Sequence, residues 1–147
     1  MQFSRMLGVV ACAAALAACS EDDLVENFSA ALNGANEVPA VVTAATATAS
    51  LALTEGVLTY TVTATGLSGV VTAAHIHVGA VGAEGPPVLT LTHASVASGT
   101  VASGTSATGL AVGVTADSLF TLLRNGNAYV NLHTAANVDG EVRGQVN

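Results

Sequence analysis

The chain has 147 residues and a formal net charge of −7, and only 3% of its residues are aromatic. This length suits one domain, and an acidic surface disfavours nucleic-acid binding because it repels phosphate backbones. Cys12 and Cys19 are the only cysteines, so a network of disulfides is excluded as the source of stability.

The N-terminus has the pattern of an export signal. Arg5 precedes an apolar run over residues 6–18 that is too short to span a bilayer. The run closes with Leu16-Ala17-Ala18-Cys19, which resembles the lipobox of bacterial lipoproteins, whose cysteine is lipidated and becomes the new N-terminus. An ordinary signal peptide with an incidental cysteine is the alternative. We expect a lipoprotein signal peptide over residues 1–18 and a lipid such as palmitate on Cys19.

Residues 19–27 are acidic and polar, and we interpret them as a solvated tether. Ser20 follows the cysteine, and by resemblance to lipoprotein sorting it favours the outer membrane. No later apolar run approaches membrane-spanning length. We therefore expect an exported protein that is held to the cell envelope by its lipid, with the periplasm as the compartment it enters.

Residues 28–147 are predicted to form one β domain. Short segments alternate apolar and polar residues between glycine- and proline-rich turns, which is typical of antiparallel sheets. The predicted strands cover residues 28–34, 46–54, 57–65, 72–79, 88–93, 99–108, 128–134 and 141–146. One helix is predicted near residues 115–125, with an apolar stripe of Leu119, Leu122 and Leu123. The expected fold is all-β: an antiparallel Greek-key β-sandwich or partly closed barrel with this one short helix.

The strand over residues 72–79 carries two histidines that share a face. His75 and His77 are two residues apart, and alternate residues of a strand project to the same side. Two imidazoles on one rigid strand are half of a transition-metal site, or two polar residues on a solvated face.

The last two predicted strands supply further polar side chains. By the same alternation, one face of this hairpin carries Tyr129, Asn131, His133, Glu141, Arg143 and Gln145. We predict that His133 completes a site for copper or zinc with His75 and His77, since three neutral imidazoles suit these metals. His93 is the weakest candidate ligand, because the apolar Leu89 and Leu91 share its face.

The other polar residues of the hairpin have two interpretations. Tyr129, Asn131 and Glu141 could fix the imidazole tautomers by hydrogen bonds, while Arg143 pairs with Glu141 or another acid. Alternatively, the whole cluster pins two strands together without any ligand, or the same face binds a small molecule or a glycan.

Four blocks of sequence carry a family resemblance. They are Leu32-Asn33-Gly34-Ala35-Asn36-Glu37-Val38-Pro39, Ala74-His75-Ile76-His77, Tyr129-Val130-Asn131-Leu132-His133-Thr134 and Gly140-Glu141-Val142-Arg143-Gly144-Gln145. Together and in this order they resemble the CHRD domain, which is named for chordin and also occurs in bacterial exported proteins. The resemblance covers nearly all of the chain after Phe28, and it implies a secreted or anchored envelope protein without assigning an activity.

A fainter resemblance links the histidines to the copper site of copper/zinc superoxide dismutases. The order His75, His77, His93, His133 is similar to the copper-ligand order of that family. The disulfide cysteines, a zinc-ligand loop and the arginine that guides superoxide have no counterpart here, so the resemblance does not extend to the activity.

No nucleophile elbow, phosphate loop or His-Glu-x-x-His motif is present. The predicted function is therefore that of a non-enzymatic binding module, with copper or another transition metal as its ligand. A structural or adhesive envelope protein and a copper-dependent dismutase-like enzyme are the alternatives. The membrane, reached through the lipid on Cys19, and a metal ion are the expected partners, and nucleic acid is not.

Overall fold

A computed structural model describes residues 25–147, which form eight strands and one short helix. The strands are β1 (Glu26–Asn33), β2 (Thr46–Thr54), β3 (Val57–Thr65), β4 (Val71–Val78), β5 (Pro87–Thr90), β6 (Gly99–Thr105), β7 (Ala128–Thr134) and β8 (Val142–Gln145). The helix α1 spans Ala116–Arg124, and a single 3-10 turn spans Gly34–Asn36. The predicted all-β class with one helix near residues 115–125 is confirmed.

The eight strands form one curled antiparallel sheet in the order β5-β4-β7-β8-β1-β2-β3-β6. Beyond the end of β5, His93 forms an isolated bridge with Ala102 of β6, and Leu89 forms another with Leu110. The first of these bridges joins the two edges of the sheet, because the chain beyond β5 pairs there with β6, whereas Leu110 lies outside the strands. The architecture is therefore the partly closed barrel of the prediction, and β6 is an edge strand as its glycines indicated.

Alternation along the strands places the core inside the curl. On β3, for example, Leu58 and Val62 are buried while the threonines between them are exposed. The helix closes one side of this core with Leu119, Phe120 and Leu123. The predicted stripe included Leu122 instead of Phe120, and Leu122 is only partly buried. The surface of the helix that packs on the curved sheet therefore includes Phe120 as well as the three leucines.

Strand β7 lies in the interior of the sheet and is buried along its whole length, on both faces. Its apolar face looks into the core, and its polar face is covered by the loops that follow β1, β4 and β7. Arg143 fastens the second of these loops by donating to the carbonyl oxygens of Ala80 and Ala83, at 3.2 and 2.7 Å. A second, polar layer therefore lies outside the sheet, and the candidate site is in this layer.

The N-terminal predictions fall largely outside the described residues. The signal peptide over residues 1–18, the lipidation site Cys19 and most of the tether lie there, while the last two tether residues form the start of β1. Within residues 25–147, no helix combines the length and apolar character needed to cross a membrane.

Candidate metal centre

The register of β4 against β7 brings the three strongest candidate ligands together. His75 lies opposite Asn131 and His77 opposite Tyr129, while His133 lies opposite Ala73, one pair further along. All these residues have the parity of the outer face. The i, i+2 pair on β4 and the single histidine on β7 therefore meet on one side of the sheet, as their alternation predicted.

The three imidazoles form a tight cluster. One ring nitrogen from each of His75, His77 and His133 lies within 4.8 Å of the other two. Nδ1 of His75 is 3.1 Å from Nε2 of His133. The ring of His75 stands edge-on to the other two, with centroid distances of 5.4 Å to His77 and 5.1 Å to His133. Three ring nitrogens converging in this way have the chemistry and the approximate spacing of a ligand set for zinc or copper.

Backbone carbonyl groups fix the tautomers of two of these rings. Nδ1 of His77 is 2.8 Å from the carbonyl oxygen of Gly85, and Nδ1 of His133 is 3.0 Å from that of Val138. A carbonyl oxygen can only accept, so each Nδ1 carries the proton and each neutral ring presents a lone pair on Nε2. Metal-binding histidines are commonly oriented by such a bond from the ring nitrogen that does not bind the metal.

The Nε2 lone pairs of His133 and His77 have different surroundings. Nε2 of His133 accepts from Nδ1 of His75, whereas Nε2 of His77 is buried and has no hydrogen-bond partner among the described residues. A buried acceptor without a donor costs about 1–3 kcal/mol. A metal ion at the cluster would satisfy Nε2 of His77. It would also require the proton on Nδ1 of His75 to move to Nε2 of the same ring.

Burial keeps all three rings neutral. Desolvation, reinforced by the neighbouring histidines, lowers the pKa of His75 to about 4. Desolvation also lowers the pKa of His77 and of His133, although the bonds to Gly85 and Val138 act in the opposite direction. Neutral imidazole is the metal-binding form, so a proton does not compete for these nitrogens near neutral pH.

Tyr129 and Arg143 support His77 from the next two strands. The Tyr129 ring stacks on His77 with a centroid distance of 4.9 Å and an interplanar angle of 12°. The guanidinium carbon of Arg143 lies 3.5 Å from the centre of the Tyr129 ring. Imidazole, phenol ring and guanidinium are thus in sequential contact, a cation–π arrangement that is worth more when it is desolvated, as here.

Asn131 forms hydrogen bonds with Glu37, a residue that the sequence pattern did not indicate as part of the site. Its side-chain amide nitrogen donates to both carboxylate oxygens of Glu37, at 2.8 and 2.9 Å, and Glu37 is 8% exposed. Burial raises the pKa of Glu37 to about 7, despite the lowering effects of the Asn131 bond and the Arg143 charge. Glu37 lies in one of the four sequence blocks, but it belongs to a loop, where no periodicity indicates the direction of a side chain.

Within the described residues, Arg143 pairs with neither Glu141 nor another acid, contrary to one of the two interpretations of the hairpin. The fully buried Glu141 accepts hydrogen bonds from Thr43, Ser68 and Thr134 at 2.6–3.0 Å. Burial acts to raise its pKa, but these bonds outweigh that effect and hold the pKa below its ordinary value. Glu141 precedes β8 and binds hydroxyl groups, so the strand alternation assumed for it does not apply. It orients none of the three imidazoles.

His93 lies outside the three-histidine cluster. It is half-buried after β5 and bridges to Ala102, where the two edges of the sheet meet. Its charge is one of the weaker influences that lower the pKa of His75. The neighbouring Leu91 faces the core, in line with the inward orientation that made His93 the weakest candidate.

Comparison with known proteins identifies the domain. No curated protein and no solved structure matches the chain. The family model of the CHRD domain matches residues 28–146, a span that contains the three histidines, Glu37 and every strand except the first two residues of β1. The family resemblance seen in the four sequence blocks is thereby confirmed: the chain belongs to the CHRD domain family.

Proposed function

We propose that this CHRD domain is a binding module for a transition-metal ion, held by His75, His77 and His133. The observation that carries the proposal is the buried Nε2 of His77, which has no partner among the described residues and belongs to a cluster of three imidazole nitrogens within 4.8 Å of one another. Copper and zinc are the ions that three neutral nitrogen donors suit best. The ligand atoms would be Nε2 of His77, Nε2 of His133 and Nδ1 of His75.

The test is calorimetric titration of the purified protein with Cu(II) and with Zn(II). We expect one ion per chain for the unaltered protein and at least a hundredfold weaker binding for His77→Gln, because one of three ligands is lost. His93→Gln is the matched control, since it removes a histidine outside the cluster, and its binding should be unchanged. Binding that survives His77→Gln at full affinity would refute the site.

A purely structural role for the cluster is the competing function. It is favoured by the 3.1 Å contact between His75 and His133, which links β4 to β7 without any ion. The two functions differ in how metal affects stability, because a ligand that binds only the folded state raises the melting temperature. Under the structural reading, His75→Ala would lower the melting temperature equally with and without metal.

We also propose that the protein is exported and anchored to the cell envelope by a lipid on Cys19. The support is the order of the N-terminal elements: a positive start, a short apolar run and Leu16-Ala17-Ala18-Cys19. Radiolabelled palmitate should be incorporated in a bacterial host that processes lipoproteins, and the protein should fractionate with membranes. Cys19→Ser should abolish both, while Cys12→Ser should change neither. Equal labelling of the Cys19→Ser protein would contradict the anchor.

A further inference from the structure

Among the described residues, the positive charge closest to the histidine cluster is buried. Arg143 is 3% exposed, and its guanidinium lies over the ring of Tyr129, which also stacks on His77. Its nearest hydrogen-bond partners are the neutral carbonyl groups of Ala80 and Ala83. A full positive charge is therefore held one aromatic ring away from a candidate metal ligand, in an environment where water screens it poorly.

Among the described residues, the buried Glu141 is ionised, but its carboxylate is bound to Thr43, Ser68 and Thr134 and makes no hydrogen bond to the imidazoles or to Arg143. The other negative charge near the cluster is weak. Within the described residues, the cluster contains three imidazoles and no carboxylate. Glu37 is buried nearby on Asn131, but its pKa of about 7 leaves it only partly ionised at neutral pH. Asp139 and Glu84 are exposed, so solvent screens their charges.

The charge of the ion decides how well such a site can hold it. Three neutral ligands leave a monovalent ion with a net charge of one and a divalent ion with a net charge of two. The divalent complex costs more to bury and is repelled more strongly by Arg143. Coordination number acts in the same direction, because zinc takes a fourth ligand and Cu(II) prefers a tetragonal set, whereas the described cluster offers three donors.

Building on the metal site proposed above, we propose that the three-histidine cluster selects monovalent copper, Cu(I), over Zn(II) and Cu(II). The guanidinium of Arg143 is the selecting charge, and it acts through the stacked ring of Tyr129. The bound species is thus a monovalent transition-metal ion that three imidazole nitrogens coordinate in a trigonal arrangement. Arg143 is a selectivity residue in this scheme and does not touch the ion.

Sulfur ligands must be removed before this selectivity is measured. Thiolates and thioethers bind Cu(I), and the chain has Met1, Met6, Cys12 and Cys19, all before residue 25. The full chain is therefore prepared with Cys12→Ser and Cys19→Ser, and Met6→Leu is added to this background. The three histidines are then compared with no competing soft ligand apart from the initiator methionine.

The experiment measures dissociation constants for Cu(I), Zn(II) and Cu(II) by competition with chromophoric chelators, with oxygen excluded and a reductant present for Cu(I). We expect Cu(I) to bind at least about a hundredfold more tightly than Zn(II) or Cu(II), and His77→Gln to abolish this advantage. Equal or tighter binding of Zn(II) or Cu(II) through His77 would overturn the selectivity and leave the metal site standing. Failure of all three ions to bind would overturn both.

Arg143→Met isolates the role of the charge. It should reduce the ratio of Cu(I) to Zn(II) affinity by about tenfold, the size expected for one nearby unit charge at an effective dielectric constant of about 20. Arg143→Lys keeps the charge and should keep most of the ratio. Arg124→Met is the matched control, since it removes an exposed arginine that pairs with Glu26. An unchanged ratio in folded Arg143→Met would refute the role of Arg143, and the ratio in the unaltered protein decides the proposal if that variant does not fold.

Discussion

Glu37 and His75 are both polar residues of the outer layer, and burial moves their pKa values in opposite directions. The pKa of Glu37 rises from 4.5 to about 7, and that of His75 falls from 6.5 to about 4. In both cases burial favours the neutral form. Burial therefore keeps these two groups neutral, whereas Arg143 and the hydrogen-bonded Glu141 remain charged, and this determines how the protein responds to pH.

Glu37 should make the folded state less stable as pH rises. Between about pH 4.5 and pH 7 the folded protein binds more protons at Glu37 than the unfolded chain does, so the stability from this group is present below 4.5 and is lost as pH rises through 7. Glu37→Gln keeps an acceptor for Asn131 and removes the titration. Relative to this variant, the free energy of unfolding of the unaltered protein should fall by up to about 3 kcal/mol over that range.

Urea unfolding at several pH values measures this difference. Glu55→Gln, which removes an exposed acid in the turn between β2 and β3, is the control and should leave the pH dependence of the unaltered protein in place. If the unaltered protein and Glu37→Gln show parallel pH profiles, Glu37 does not titrate in this range and its assignment as a buried neutral acid is incorrect.

The lowered pKa of His75 predicts that metal binding persists in mild acid. An ordinary histidine is about nine-tenths protonated one unit below its pKa of 6.5, so three ordinary ligands would lose about a thousandfold in affinity at about pH 5.5. With the pKa of His75 near 4 and those of its neighbours also lowered, the loss should be much smaller than a thousandfold. Affinities at neutral pH and at about pH 5.5 check this, and a thousandfold loss would show ordinary, solvated imidazoles.

At the scale of elements, the site depends on how the loop after β4 packs against the sheet. Its Gly85 supplies the carbonyl oxygen that orients His77, and the phenol oxygen of Tyr129 lies 3.3 Å from both the amide nitrogen and the carbonyl oxygen of Gly85. A methyl group at this position would lie 1.8 Å from the carbonyl oxygen of Val78. The backbone there has no room to accommodate a side chain.

Gly85→Ala should therefore weaken metal binding by displacing this loop. We expect at least about a tenfold loss of affinity, as is typical when a group that orients a metal-binding histidine is disturbed. Gly69→Ala is the control, because a methyl group there meets no atom within 4 Å. Affinity and melting temperature are measured for both variants. Unchanged affinity in Gly85→Ala would mean that the Gly85 carbonyl group does not orient His77.

At the scale of the whole molecule, strand alternation was the part of the sequence that carried the most structural information. It predicted β2, β3 and β7 at their observed bounds and placed His75, His77 and His133 on matching faces. The sequence pattern does not contain the register of β4 against β7, which lie more than fifty residues apart, and this register decides whether the imidazoles meet. Glu37 was missed and Glu141 misplaced because a loop and an irregular strand start have no period.

The closure of the sheet could likewise not be predicted from the sequence pattern. It depends on single bridges, such as that between His93 and Ala102, which have no signature in the sequence. The covering of β7 on its polar face depends on three loops that pack over it. Both features are tertiary. The covering loops determine how far the histidines are removed from water, which is the property that makes the cluster a candidate site.

The most direct test of the central claim is long-range proton–nitrogen NMR of the imidazole rings, recorded on the cysteine-free chain with and without one equivalent of Zn(II) or Cu(I). The account predicts large nitrogen shifts at Nε2 of His77, Nε2 of His133 and Nδ1 of His75 on addition of metal, with retained protons on Nδ1 of His77 and His133. His93 should not respond. Unshifted resonances for the three clustered rings, or a response confined to His93, would contradict the metal site.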